Sequence, residues 1–238
     1  MANPLAQLYR DLHRHYGPQG WWPTTPPGQS RPRYRPGQLS PPKRDAELWE
    51  ICTGALLTQN TAWRNVELAL AALSEAGALC LEGAASLPLP RLEALIRPSG
   101  YYRQKARRLQ HLARYIGAEY RGDIKALLGR PLAPLRRELL SLPGIGPETA
   151  DCILLYAGGH PSFVIDAYTR RICDRLGLAE AAAPYQILQS LFCAALPAAP
   201  STYNEYHALL VRHATDHCRS RPLCGQCPLA ARCAYAPS

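Results

Sequence analysis

The chain has 238 residues, 47% of them apolar and 19% charged, with a formal net charge of +9. That is enough apolar sequence to bury a core without disulfide staples, and too much for a disordered chain. The positive excess points to a polyanionic partner, nucleic acid first, and it rests on arginine, since only Lys43, Lys105 and Lys125 are lysines.

Residues 4–16 place Leu5, Leu8, Leu12 and Tyr16 on one face of an amphipathic helix. This start lacks the apolar core and small-residue cleavage site of a signal peptide. No apolar run approaches the roughly 20 residues a membrane helix needs, so the expectation is a cytoplasmic protein with no membrane partner. Seven prolines follow in 21–42, with Arg31, Arg33 and Arg35 between them, and proline blocks both helix and central strand. Helical spacing resumes at 45 with Leu48, Cys52, Ala55 and Leu56. Further helices are expected over 61–75, 89–96 and 103–120, with a break at Pro98-Ser99-Gly100. The pattern continues over 132–142, 148–157, 166–176, 185–196 and 202–214. Phe163-Val164-Ile165 is the one β-like triplet, so the fold class is all-α.

Three features carry chemistry. The first is Cys218-x5-Cys224-x2-Cys227-x5-Cys233. The chain has nine cysteines, an odd number, and crowding of four near one end of a reduced protein reads as a metal site rather than a disulfide framework. Spacing alone suits either structural zinc or an iron–sulfur cluster. Cys52, Cys80, Cys152, Cys173 and Cys193 are scattered singly and read as small core residues. The second is Leu142-Pro-Gly-Ile-Gly-Pro147. Gly144 and Gly146 permit positive φ and uncover backbone N–H groups, and Pro147 suits the first helical position. A glycine turn feeding a helix N-terminus can cradle a phosphate, although such turns also join helix pairs with no ligand. The third is Asp166, which follows the apolar triplet and opens a helix. It reads either as an N-cap or as a carboxylate facing a groove.

In order and spacing these features resemble the helix-hairpin-helix DNA glycosylases, specifically the endonuclease III branch. The resemblance starts with Trp49-Glu-Ile-Cys-Thr-Gly-Ala-Leu-Leu-Thr-Gln59-Asn60-Thr61 and continues with Pro98-Ser-Gly-Tyr-Tyr-Arg-Gln-Lys-Ala-Arg107. It runs on through Leu142-Pro-Gly-Ile-Gly-Pro-Glu-Thr-Ala-Asp151, Val164-Ile-Asp166-Ala-Tyr-Thr-Arg-Arg171 and the cysteine loop. It implies two helical lobes, 43–159 with the hairpin and 1–42 joined to 160–238. Double-stranded DNA bearing a damaged base would lie in the cleft between them, bound by a monomer. It also implies a 4Fe-4S cluster on Cys218, Cys224, Cys227 and Cys233, although the first gap here is five residues where the family has six.

Roles follow by position. Gln59 matches the residue that fills the hole left by an extruded base, and Tyr101 matches the wedge. Gly144 and Gly146 would hold a phosphate, and Arg103, Lys105 and Arg170 would add charge toward DNA. Asp166 would stabilise positive charge on the sugar as the glycosidic bond breaks. Bifunctional members carry a lysine at the position of Glu148. A carboxylate cannot form an imine, so a monofunctional glycosylase is expected, with Asp166 and Glu148 as the catalytic-site pair. The hairpin and Trp21-Trp22-Pro23 look like the 3-methyladenine glycosylases, which makes Trp21, Trp22 and Trp49 candidates for stacking on an alkylated base. A glycosylase–lyase acting on oxidised pyrimidines and a non-catalytic binder of damaged DNA are the alternatives.

Overall fold

The computed structural model describes residues 3–237. Twelve α-helices are present among them. In chain order they are α1 (Pro4–Tyr16), α2 (Asp45–Leu57), α3 (Trp63–Glu75), α4 (Leu81–Ser86), α5 (Leu89–Leu95) and α6 (Tyr102–Tyr120), then α7 (Ile124–Leu128), α8 (Leu132–Ser141), α9 (Pro147–Cys152), α10 (Ala167–Arg175), α11 (Tyr185–Ala195) and α12 (Pro200–Asp216). No strand forms among the described residues. A single antiparallel bridge joins Thr24 and Arg33, and Phe163, Val164 and Ile165 are a fully buried irregular segment. The all-α expectation therefore stands. The sequence reading missed α4 and α7, which are six and five residues long. Elements that short offer barely one turn of periodicity.

The chain divides into two compact units. One comprises Trp22–Tyr34 and Ser40–His160, and the other the described parts of Met1–Trp21, Arg35–Leu39 and Pro161–Ser238. In the first, α2 runs through the middle, and every residue from Glu47 to Leu57 is buried. Leu48, Ile51, Leu56 and Leu57 are buried with Val66 and Leu70 of α3 and Leu109, Leu112 and Ile116 of α6, and Leu135 and Leu139 of α8 are buried in the same unit. Each fully buried leucine or isoleucine contributes roughly 1.5–3 kcal/mol relative to exposure.

The sequence reading assigns 22–34 and 40–42 to the lobe containing the C-terminal half, whereas the chain packs them with α2. The reason is a pair of buried glutamates. Glu47 accepts from the Thr24 hydroxyl at 3.0 Å, and Glu50 accepts from both the N–H and the hydroxyl of Thr25 at 2.8 and 2.6 Å. Buried carboxylates need such donors, and the proline-rich segment supplies them. Trp22 then lies against Gly54 of α2, where a Cβ would stand 2.9 Å from the indole.

In the second unit α1 packs on α12. Asn3 caps α1 by accepting from the Leu5 N–H at 3.0 Å, Leu5, Leu8 and Leu12 are buried, and the Tyr206 hydroxyl of α12 donates to the Leu5 carbonyl at 2.8 Å. Phe163 stacks on Phe192 of α11 with ring centroids 4.2 Å apart. The buried segment Phe163–Ile165 therefore delivers Asp166 to the start of α10 from a rigid base.

Gly54→Ala is expected to destabilise the protein by about 1–3 kcal/mol, because the added methyl overpacks against the Trp22 ring. Urea unfolding followed by tryptophan fluorescence measures this. An unchanged midpoint would mean that the proline-rich segment does not depend on that contact.

Candidate functional site

The hairpin joins α8 to α9. Gly144 adopts φ +79°, and a Cβ there would collide with the Arg108 side chain of α6, so only glycine fits. Gly146 precedes α9 with open space where a Cβ would lie, and Pro147 takes the first turn. The two helices are pinned by an ion pair that sequence reasoning missed. Arg136 of α8 donates from Nε and Nη2 to the fully buried Asp151 of α9, at 2.8 and 3.0 Å. A bidentate guanidinium–carboxylate pair fixes geometry as well as charge. Arg136 and Asp151 are 15 residues apart on either side of the glycine turn, so the pairing is visible only once the turn is known to fold back. Glu148 is exposed in the first turn of α9, where the positive end of the helix dipole favours an anion.

Gln59 stands just past α2 and is bonded to the hairpin. Its Nε2 donates to the Gly144 carbonyl at 2.8 Å and to Thr149 Oγ1 at 2.9 Å, while its Oε1 accepts from Arg108 at 2.9 Å. Tyr101 is 67% exposed with φ +45° at the start of α6. Arg103 is exposed beside it. Lys105 differs from expectation. It is 1% exposed, and its ammonium donates to the Leu57 and Ser99 carbonyls at 2.8 and 2.6 Å. It therefore presents no charge to a phosphate, because position 105 falls on the core-facing side of α6. Burial, with a further push from the Arg108 charge, lowers its pKa to about 8.

The tryptophans also separate. Trp49 is 2% exposed within α2 and belongs to the core, not to a base pocket. Trp22 meets Trp63 edge-on at 5.1 Å and Tyr156 at 5.2 Å. Trp63 is thus an aromatic partner that the sequence reading did not single out. Trp21 is half-buried in the other unit.

In that unit Asp166 is the N-cap of α10. Its Oδ1 accepts from the Thr169 N–H at 2.7 Å, and its Oδ2 lies 3.6 Å from Nε2 of the buried His207 on α12. Burial alone would raise its pKa. The His207 imidazole and the Thr169 N–H outweigh burial and hold the carboxyl below the ordinary carboxylate value. The side chain keeps 12% of its surface exposed. Arg170, one turn along α10, donates to the carbonyls of Ala181 and Ala183 at 3.0 and 2.6 Å. It ties down the following loop rather than standing free for DNA.

The far end of α10 meets the cysteine loop. Cys218, Cys224, Cys227 and Cys233 line one hollow with Ile172, Leu176 and Leu229. Arg171 donates to the Cys218 carbonyl at 2.8 Å, and Arg175 to the carbonyls of Arg219 and Ser220 at 2.6 and 3.0 Å. Arg175 also lies 3.4 Å from Cys218 Sγ. Burial first, then the mutual repulsion of the other three thiols, raises the Cys227 pKa. No two of these cysteines are joined by a disulfide. Among the described residues, no three His, Cys, Asp or Glu side chains converge closely enough for a single metal ion.

A glycine hairpin between pinned helices, a carboxylate capping the next long helix and a four-cysteine hollow beyond it define a helix-hairpin-helix repair protein. The profile of the HhH-GPD superfamily of base excision DNA repair proteins matches residues 53–195, and the chain belongs to that superfamily, among its endonuclease III-related DNA glycosylases. A Methanocaldococcus jannaschii protein provisionally named a DNA repair glycosylase is 38% identical over 230 residues, covering 96% of this chain and 95% of the relative. The H. pylori 3-methyladenine DNA glycosylase MagIII, solved with 1,N6-ethenoadenine, is 27% identical with a TM-score of 0.67, covering 89% of this chain and 94% of that one. An endonuclease III solved with DNA shares the fold at a TM-score of 0.75 and 22% identity, over 97% of this chain and 94% of that one.

The lowered Asp166 pKa carries a stability consequence with a definite sign. A depressed carboxyl contributes stability that is fully present above its unfolded value of about 3.9 and is lost as the pH falls through the folded value. Asp166→Asn is therefore expected to flatten the acid limb of the stability curve below about pH 4 while lowering stability at neutral pH. Denaturant midpoints across a pH series test it, and parallel curves for the two proteins would remove Asp166 from the acid response.

Proposed function

We propose that the protein is a monofunctional DNA N-glycosylase that extrudes a damaged base and removes it by hydrolysis, with an alkylated purine as the favoured substrate class. The observation that carries this reading is the state of Asp166. It is ionised and braced by Thr169 and His207, but not fully covered. As the N-glycosidic bond breaks, its electron pair leaves with the base and the sugar gains oxocarbenium character. A carboxylate already oriented stabilises that charge without reorganising. It also accepts the proton of the water whose oxygen bonds to the sugar carbon.

Lyase chemistry needs an amine, and the hairpin position carries none. Glu148 stands at the hairpin position. Lys105 has a depressed pKa, but its nitrogen is buried and committed to two carbonyls. The likeness to a 3-methyladenine glycosylase and the edge-on Trp22–Trp63 pair, backed by the buried Tyr156, support an aromatic reader of an electron-poor base. On the DNA side, exposed Tyr101 and Arg103, the open face of Gly146 and the helix start at Pro147 are the proposed contacts. Gln59 would replace the extruded base.

We further propose that the cysteine hollow holds a 4Fe-4S cluster. Four thiols lining one apolar hollow suit a centre held by four thiolates, and the positive Arg175 beside Cys218 suits a net negative one. Bound there, the cluster would tie the loop to the end of α10 and supply a one-electron redox centre.

The deciding experiment incubates duplexes bearing single lesions with the protein, with and without alkaline workup. Base release from an alkylated-purine duplex, with strand breaks only after alkali, is the expected result. Asp166→Asn is expected to lower release by about 10³-fold, of the order set by losing one preorganised electrostatic group, while the duplex still binds. A borohydride-trapped protein–DNA adduct would falsify the monofunctional reading. For the cluster, Cys227→Ser is expected to purify with its iron and sulfide content sharply reduced; stoichiometric zinc in the unaltered protein would point instead to a structural knot.

A further inference from the structure

Lys105 is the one lysine in the hairpin-bearing unit withdrawn from solvent, and its placement is specific. Its ammonium spans two carbonyls from segments far apart in sequence, Leu57 at the end of α2 and Ser99 just before α6. Each of those segments leads within a few residues to a group proposed to enter the duplex: Leu57 to Gln59, and Ser99 to Tyr101.

The backbone supplies a second, independent observation. Only three non-glycine residues among the described residues have positive φ: Asn60, Tyr101 and Arg121. Two of these three lie beside the two intruding positions, Asn60 at φ +53° and Tyr101 at φ +45°. Asparagine tolerates this region in ordinary turns, but a bulky tyrosine does not, so the strain lies at Tyr101. Backbone of this kind persists only where its surroundings over-determine it, and it gathers at functional sites. The buried ammonium is the group that over-determines both turns at once. A lysine taken out of water that makes only carbonyl contacts is also an expensive way to fill a core position; a methionine of similar length fills it without desolvating a charge.

From this we infer that Lys105 is a positioning residue for lesion recognition, a buried strut that holds the Gln59 and Tyr101 turns at a fixed spacing so that both enter the duplex together. The inference rests on the reading of Gln59 and Tyr101 given above. Lys105 touches neither DNA nor the reacting sugar. Its loss is expected to weaken discrimination between a distorted site and an intact duplex rather than attraction for DNA as such, because attraction is set by surface charge that the substitution does not alter.

The test compares affinities for two duplexes by fluorescence anisotropy, one undamaged and one carrying a tetrahydrofuran abasic analogue. Lys105→Met keeps the reach of the side chain and removes its donors. The expected result is an unchanged helical signal by circular dichroism and undamaged-duplex affinity within about twofold, with the ratio of the two affinities falling about tenfold, a loss of 1.4 kcal/mol. A 2-aminopurine placed opposite the analogue is expected to lose its binding-induced fluorescence rise in parallel. If the methionine variant does not fold, Lys105→Gln replaces it under the same criterion, since glutamine is one bond shorter and cannot bridge both carbonyls. A folded variant with the unaltered ratio, or one losing both affinities together, overturns the strut. Gln59→Ala and Tyr101→Ala separate the two levels. If they lower the ratio and the Lys105 variants do not, the strut alone fails. If they leave the ratio unchanged, the reading of those two residues fails and the strut falls with it.

Discussion

An anionic carboxylate held at partial burial is the constraint that the functional reading depends on. Taking Asp166 out of water works against its charge, and an isolated carboxyl there would protonate. Two groups prevent this. The Thr169 N–H belongs to the first turn of α10 and is oriented by the helix itself; His207 comes from α12. The capping role and the chemical role are therefore not competitors. Thr169 occupies Oδ1 and His207 flanks Oδ2, and together they keep the group ionised while 12% of the side chain stays exposed. A serine or asparagine would cap α10 about as well, but neither would bring a full negative charge.

Helix α10 links that carboxylate to the cysteine loop. Its first turn is capped by Asp166, and its last two turns present Arg171 and Arg175 to the backbone carbonyls of the loop. The Arg175 guanidinium also covers the Tyr235 ring at 4.6 Å. The loop is otherwise short of regular structure, with only single turns at Cys224–Gln226 and Ala230–Arg232, so its shape derives from these arginines and from whatever the four thiols hold. Raising the Cys227 pKa by burial and by three neighbouring thiols is unfavourable for an assembly of bare thiolates, and a cationic metal centre bound there would reverse that sign.

Much of this was legible in the sequence, and the failures share one cause. Long helices announced themselves through periodicity, and α1 and α2 lie where the leucine spacing over 4–16 and its resumption at 45 place them. Asp166 as a helix start and the glycine turn at 144–146 were equally plain, because cap and turn chemistry is local. What escaped was whatever depends on the rotation of a helix about its axis or on a partner far along the chain. Lys105 lies among Arg103, Arg107 and Arg108 and reads as one more basic residue, yet it falls on the inner face of α6. Trp49 sits in a motif and reads as part of a site, yet α2 is buried on all sides. Nothing in the spacing of Glu47 and Glu50 marks them as the anchors for Thr24 and Thr25 that the structure makes them. The arginine pairing of Asp151 needed the hairpin to be folded before it could be seen.

The Gln59 network bears on how lesion search can proceed. Gln59 is already paired on both sides of its amide, with the hairpin carbonyl and Thr149 on the nitrogen and Arg108 on the oxygen. Entering a duplex therefore means exchanging these bonds for bonds to an orphaned base, not ordering a loose side chain. Each such exchange is worth only about 0.5–1.5 kcal/mol net, so the step is close to balanced, and the unstacking of a few kcal/mol falls on the DNA. A balanced plug favours sites where the duplex is already weakened, since an intact pair supplies no surplus to draw Gln59 away from the hairpin. Selectivity of that kind precedes any contact with the damaged base. On the proposed roles of Gln59 and Tyr101, the residues that shape those two turns would contribute to selectivity alongside those that read the base.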